Sequence, residues 1–334
     1  MSESLSHDDE VPLELIVDRV RSRGATTRVT RVSMTGGKDS DEPAARKSFV
    51  LVGGVGVAAT YFEFLAPTLA ELGDVYALDL PGFAGLPRPH EQPTAAFFAE
   101  QVSAVLDHYG LDDPVLIGHS MGTQVVIELL IDRPGITEAV LVSPVINDQE
   151  RALPLQALRF AQSASRETLH LALTAFSAYL LCGLVYFLTV LPHMMRYRVV
   201  DRVALVQARL LLIRGQLDTT SPRRFHARLA RAARSASTWE IEGAAHSVIN
   251  AHAVGVAKLT VGFVDGRLAR RGGMSSEEAD LPEPVGGGVS LVLKAMGSRA
   301  AEWVSALRRD ERGVARAKAE HAKLLWRAYA PRRR

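Results

Sequence analysis

Five short apolar runs constrain this chain more than any other feature: Phe49-Val-Leu-Val, Val75-Tyr-Ala-Leu, Val115-Leu-Ile, Ala139-Val-Leu-Val and Arg209-Leu-Leu-Leu-Ile. They are bounded mainly by Gly, Pro or Asp, and none alternates between polar and apolar residues. A strand that loses its alternation is buried on both faces, as in a parallel sheet covered by helices. Helical lengths separate the runs, so the pattern is α/β. Helices are expected over 60–72, 94–109, 121–132, 222–233 and 247–266, with an inserted helical segment between Ser143 and Ala208.

Composition narrows the class. A chain of 334 residues, 47% hydrophobic and 23% charged, holds one large domain or two modest ones, which excludes a disordered chain or a disulfide-dependent mini-protein. The single cysteine, Cys182, has no intramolecular partner. The opening MSESLSHDDE is polar and acidic, unlike the basic and then apolar start of a secretory signal. The expected location is cytoplasmic. From Lys294 to Arg334 there are twelve Lys/Arg against four Asp/Glu, so the net +2 divides into +8 there and −6 before it.

The chain then divides as follows. Residues 1–48 form an N-terminal segment whose alternating stretches, Glu14 to Val20 and Thr27 to Met34, predict a hairpin. Residues 49–147 and 205–268 form the core, and 148–204 the helical insertion. Residues 269–290 read as a linker, low in complexity from Arg271 to Gly288. Residues 291–334 are a basic tail of two amphipathic helices, with Val292, Met296, Ala300, Trp303 and Leu307 on the inner face of the first and Val314, Ala317, His321, Leu324 and Ala328 on that of the second. Such a tail either docks on the core with a solvated cationic side or contacts an anionic surface; nucleic acid is not an expected partner.

The chemistry is signalled by Gly118-His119-Ser120-Met121-Gly122, a G-x-S-x-G that follows an apolar run and opens a helical stretch. A serine hydroxyl is a poor nucleophile until it is aimed outward and given a base. Arg214-Gly-Gln-Leu-Asp218 places an acid beyond a strand-like run, and Ile241-Glu-Gly-Ala-Ala-His246 places a histidine beyond another. Both fall at strand C-terminal ends, where open α/β sheets bind ligands. Ser120, Asp218 and His246 are the expected catalytic residues; Asp148 is a rival for the acid and a helix-capping role a rival reading of Asp218.

On these motifs, residues 49–145 and 205–266 resemble the α/β-hydrolase superfamily with a helical cap between the two blocks. The resemblance implies a mostly parallel, eight-stranded sheet with helices on both faces, a helical cap insertion, a C-terminal helical extension and a Ser-His-Asp mechanism. It also implies backbone donors for an oxyanion, from Met121 and from Val55 in the loop Gly53-Gly-Val-Gly56. The family commonly begins that loop His-Gly, whereas glycine stands at the histidine position here. Asp79-Leu-Pro-Gly82-Phe-Ala-Gly85 resembles the family's D-x-P-G-x-G turn with one residue added, and is read as structural. No phosphate-binding fingerprint accompanies the glycines, so no cofactor and no metal is expected.

The run Leu171 to Leu191 holds 21 residues and no charge, enough to span a bilayer. A span there would separate Ser120 from Asp218 and His246, so the expectation is a cap broken at Gly183 and Pro192. Phe176, Tyr179, Leu180, Tyr186, Phe187 and Met194 are its candidate pocket residues. The function expected is a serine esterase or lipase-like enzyme, extending to thioesters, acting on a small hydrophobic ester. Alternatives on the same residues are a carbon–carbon bond hydrolase and a cofactor-free peroxidase. Outside enzymes, the alternative is a ligand-binding or interaction protein that uses its basic tail. Neither oligomeric state nor natural substrate is readable from these residues.

Overall fold

The computed structural model describes residues 13–35, 47–166, 181–281 and 289–329. Its centre is a nine-stranded sheet in the order β1-β2-β4-β3-β5-β6-β7-β8-β9. β1 (Leu13–Ser22) and β2 (Ala25–Met34) form an antiparallel hairpin, closed by Arg23 and Gly24, both at positive φ (49° and 73°). β2 pairs antiparallel with β4 (Val75–Asp79); β3 (Phe49–Val52), β5 (Val115–His119), β6 (Glu138–Val142), β7 (Arg209–Gly215) and β8 (Ala236–Ile241) continue the sheet in parallel.

Every residue of β3, β4, β5 and β6 is buried, which explains the missing alternation. Successive side chains still point to opposite faces. Val50 and Val52 enter the layer beneath α2 (Ala95–Tyr109) and α3 (Met121–Asp132), whereas Phe49 and Leu51 enter the layer beneath α1 (Leu65–Ala70) and the helix following β8. α2 starts where the Thr94 hydroxyl accepts the Phe97 N–H at 3.1 Å. It ends at Gly110 in the left-handed conformation.

Between β6 and β7, α4 (Leu153–Ala164), α5 (Leu184–Arg196) and α6 (Val199–Val203) form the insertion. Ten of the 21 residues of the uncharged run, Phe176, Tyr179 and Leu180 among them, lie outside the described residues. No helix among the described residues is long and apolar enough to cross a membrane. After β7 come α7 (Arg223–Ala232), β8, then α8 (Val248–Ala251) and α9 (Ala253–Val264), which break at His252 what the sequence predicts as one helix.

Two findings depart from the sequence reading. Arg271–Met274, expected as linker, adds β9 in parallel to β8, giving the sheet one strand more than the eight implied by resemblance; a capped turn of helix, α10 (Ser276–Ala279), follows it. One of the glycines that make this segment look like a linker, Gly272, is a packing requirement. The Trp239 indole lies over the strand, donating to the Ala269 carbonyl at 2.9 Å, and a Cβ on Gly272 would come within 2.4 Å of its ring.

The second departure lies in α11 (Val289–Leu307), which pairs with α12 (Glu311–Tyr329). Met296 and Leu307 face outward, 54% and 71% exposed, while Ala295, Arg299, Glu302 and Ala306 face in. Ion pairing turns the helix this way, since a charge is buried only with a partner. Arg299 meets Glu63 at 2.5 Å and the Thr60 carbonyl at 3.1 Å, and His321 meets Glu63 at 2.7 Å. Lys318 reaches Asp79 at 3.2 Å, Arg28 reaches the same carboxylate at 3.0 Å, and Arg28 also pairs with Glu311 at 2.8 Å. Burial opposes ionisation of Asp79, but Lys318 and Arg28 outweigh it and hold the carboxyl below its ordinary range.

Candidate active site

Ser120 sits between β5 and α3 with φ 55° and ψ −120°, a strained conformation for a side chain with a Cβ. The flanking glycines permit that turn. A Cβ on Gly118 would lie 2.6 Å from the Gly122 carbonyl oxygen, and one on Gly122 would lie 2.2 Å from that of Val52. The elbow is thus pressed against β3, and its helix is tied to the insertion: Gln124 donates to the carbonyls of Val145 (2.9 Å) and Met194 (3.2 Å).

The loops after β7 and β8 bring the acid and the histidine to this point. His246 Nδ1 lies 3.0 Å from Asp218 Oδ2, and its Nε2 lies 3.0 Å from Ser120 Oγ. A carboxylate only accepts, so Nδ1 carries the hydrogen and Nε2 is left to accept from the hydroxyl. Asp218 is fully buried, and its other oxygen accepts the N–H groups of Thr220 (2.9 Å) and Ser221 (3.1 Å). Burial alone would raise this carboxyl; the facing imidazole and the Ser221 N–H outweigh it and hold the group well below its ordinary range. Asp148, the rival, is instead engaged by Arg228.

Other side chains hold this arrangement, and the sequence reading did not single them out. Arg214 donates to the carbonyls of Ser221 (2.8 Å), Asp218 (3.0 Å) and Gln216 (3.2 Å), fixing the loop that carries the acid. A lone arginine ending an apolar strand was the available signal. Ser163 on α4 accepts the His246 N–H at 3.1 Å. His119 packs its ring 5.1 Å from that of His246 and its Nε2 lies 3.0 Å from the His246 carbonyl. Burial, and then the neighbouring His246, push the His119 imidazole down to about 3, so it is neutral.

Ser120 opens into a cavity of about 410 Å³. Its walls come from the β3 loop (Gly54, Val55, Val57), from α4 (Leu153, Ala157, Phe160) and from α5 (Phe187, Leu191, Met194). No Asp, Glu, Lys or Arg lines it among the described residues. Of the candidate pocket residues, Phe187 and Met194 line this cavity. Tyr186 does not: its hydroxyl donates to the Pro81 carbonyl at 3.0 Å, and its ring fills the space beside Gly82, so it braces the turn after β4. The reason is helical phase, since one residue's shift turns the side chain about 100° from its neighbour. Val55 lies in the wall beside Gly54, whose backbone is so close that an added Cβ would stand 3.2 Å from Ser120 Cβ. Met121 opens α3, so its N–H has no carbonyl one turn back and points with the helix N-terminus.

Among the described residues no group of His, Cys, Asp and Glu could hold a metal ion. A strand-elbow-helix serine, with acid and histidine on later strand ends of a mostly parallel sheet, defines a hydrolase class. Residues 49–259 match the Alpha/beta hydrolase family, and the chain belongs to it. Over 101 residues it is 31% identical to the uncharacterized hydrolase YugF of Bacillus subtilis (strain 168); the match spans 29% of this chain and only 36% of that relative's length. Among solved structures it resembles Est816, described as an N-acyl homoserine lactone degrading enzyme, with TM-score 0.62 and 16% identity over 74% of this chain and 100% of that one. It also resembles the 2-hydroxy-6-oxo-6-phenylhexa-2,4-dienoate hydrolase BPHD of Rhodococcus sp. strain RHA1, with TM-score 0.58 and 17% identity over 71% and 94%. At these identities the likeness is one of fold.

Proposed function

We propose that the protein is a serine hydrolase that cleaves a hydrophobic carboxylic ester or thioester through an acyl-enzyme, with Ser120 as nucleophile, His246 as base and Asp218 as its orienting acid. One observation carries this reading: the Ser120 hydroxyl lies 3.0 Å from His246 Nε2 at the mouth of an uncharged cavity. His246 takes the proton as Ser120 Oγ bonds to the substrate carbonyl carbon. The N–H groups of Val55 and Met121 receive the developing oxyanion. Collapse breaks the bond to the leaving group, which takes the proton from Nε2, and water repeats the sequence on the acyl-enzyme to release the acid and restore the serine. Asp218 keeps Nδ1 protonated and stabilises the imidazolium.

The dienoate in BPHD's name is a carboxylate, and among the described residues this cavity offers no cation to receive one, which favours a neutral ester over that chemistry. The tail's Arg299 and Lys318 are engaged by core carboxylates, which favours docking over nucleic-acid contact. Cys182 is buried and its thiol pushed up to about 12 by that burial, and the location proposed for the protein is the cytoplasm. Ser120→Ala and His246→Ala are each expected to lower kcat on short-chain 4-nitrophenyl esters by about 10⁴-fold or more, and a fluorophosphonate probe is expected to label Ser120 alone. Turnover that survives either substitution overturns the assignment, and an unlabelled Ser120 points to a non-catalytic binding protein.

A further inference from the structure

With its ion-pairing side seated on the core, α11 turns an apolar stripe outward. At about 100° per residue, Met296, Leu307, Ala300, Leu293, Val304 and Gly297 fall within one arc of about 100°. All six are exposed, Leu293 to 62% and Leu307 to 71%, and a Cβ added to Gly297 would meet nothing within 4 Å. Single exposed apolar side chains are ordinary, but a continuous stripe along about four turns of one helix face marks a contact surface. The exposed Arg308 and Lys294 border this stripe on one side and the partly buried Trp303 on the other.

The neighbouring helix presents charge instead. Arg312, Arg316, Lys323 and Arg327 of α12 are exposed and fall within an arc of about 60°, on the opposite side of the helix from the buried Val314, Lys318, His321 and Leu325. Two cations of the tail point inward: Arg299 pairs with Glu63 and Lys318 with Asp79. Over residues 289–329, seven other Lys and Arg side chains are exposed against two exposed acids, Asp310 and Glu320. The outer face of the hairpin is therefore apolar along α11 and cationic along α12.

We propose that this outer face docks on an anionic lipid surface, with Leu293, Met296, Val304 and Leu307 entering the headgroup boundary and the exposed cations meeting the lipid charges. Helices that lie in a bilayer interface combine an apolar face with a basic one in this way. A second copy of the chain is a poorer occupant, since a two-fold contact sets the same cation-rich face against itself. Nucleic acid would match the cations and leave the apolar stripe uncovered. Seating on the core and contact with an anionic surface are thus not rivals, because opposite faces of the hairpin serve them.

The test is flotation of the full chain with phosphatidylcholine vesicles, either plain or containing about one-third phosphatidylserine. Binding to the anionic vesicles is expected to exceed binding to the plain ones by about tenfold or more at low salt and to weaken at high salt, since each cation near such a surface contributes about fivefold. Leu293→Gln combined with Leu307→Gln is expected to weaken anionic-vesicle binding about tenfold, and Arg312→Gln combined with Arg316→Gln about tenfold or more. Both pairs replace exposed side chains, so the melting midpoint is expected to stay at the native value, which separates lost docking from lost folding. The vesicle readout stands whether or not the chain hydrolyses esters. Absence of flotation with anionic vesicles at low salt, or flotation that survives the leucine pair, overturns the proposal. A dimer in sedimentation velocity that the leucine pair dissociates, with no vesicle binding, overturns it in favour of a second copy. A nucleic-acid duplex that displaces the anionic vesicles and binds the leucine pair as well as the native chain overturns it in favour of nucleic acid.

Discussion

Ser120 and its neighbours show how much strain one residue carries when the positions two residues to either side are glycine. The positive φ at Ser120 costs on the order of 1–3 kcal/mol, and the contacts of Gly118 and Gly122 with backbone oxygens hold it in place. Two further residues carry a different cost. His119 and His226 are fully buried, and burial pushes each imidazole down to about 3; for His226 the nearby Arg214 adds to the effect. An unfolded histidine binds its proton near pH 6.5. Between that pH and about 3 the unfolded chain binds protons that the folded chain refuses, so stability is full above pH 6.5 and declines as the pH falls. Each histidine contributes up to about 1.4 kcal/mol per pH unit to that decline. Urea titrations at pH 7, 6 and 5 are expected to show falling midpoints, and His226→Leu to show a shallower fall. Parallel slopes for the two proteins would mean that His226 is not kept neutral.

At the scale of elements, the sequence was most legible where burial is complete. β3, β5 and β6 declare themselves because both faces are covered, and the acid and histidine are found because they sit beyond such strands. The positions of Ser120, Asp218 and His246 thus follow from local pattern and strand order. β9 was not legible because Arg-Gly-Gly-Met carries no β-branched residue; its Gly272 answers to an indole 33 positions earlier in the chain. Substituting Gly272→Val is expected to destabilise the protein by about 1–3 kcal/mol through the clash with Trp239. Trp239→Ala in the same chain is expected to restore part of that loss, a coupling read from a double-mutant cycle in guanidinium chloride. Additive effects would show that the indole does not lie on the strand. α11 misled for a related reason: periodicity weighs Met296 and Leu307 as core, and only the partner carboxylate of Glu63 reveals that Arg299 belongs inside.

At the scale of the molecule, the basic tail is joined to the core by buried charge. Arg28, Asp79 and Lys318 are each under 5% exposed and share one network with Glu302 and Glu311. Removing one partner of a buried pair leaves the others uncompensated. Lys318→Met is therefore expected to cost about 3–5 kcal/mol in unfolding free energy, with little change between low and high salt because water and ions do not reach the site. A loss below about 1 kcal/mol, or one that salt abolishes, would place the pair at the surface. The pairing could not be read from the sequence, since it joins residues 239 positions apart that no local pattern links.

That separation has a consequence for how the protein comes into being. On the ribosome Asp79 emerges 239 residues before Lys318, which at about 5–20 residues per second is roughly 12–48 s. Throughout that interval the carboxylates of Asp79 and Glu63 lack their tail cations, beside the 59–62 turn whose Tyr61 lines the cavity. The nascent core waits with the 59–62 turn incompletely anchored until α11 and α12 have been translated. A chain truncated before α11 would keep Ser120, Asp218 and His246 but have neither Arg299 nor Lys318 to hold that turn.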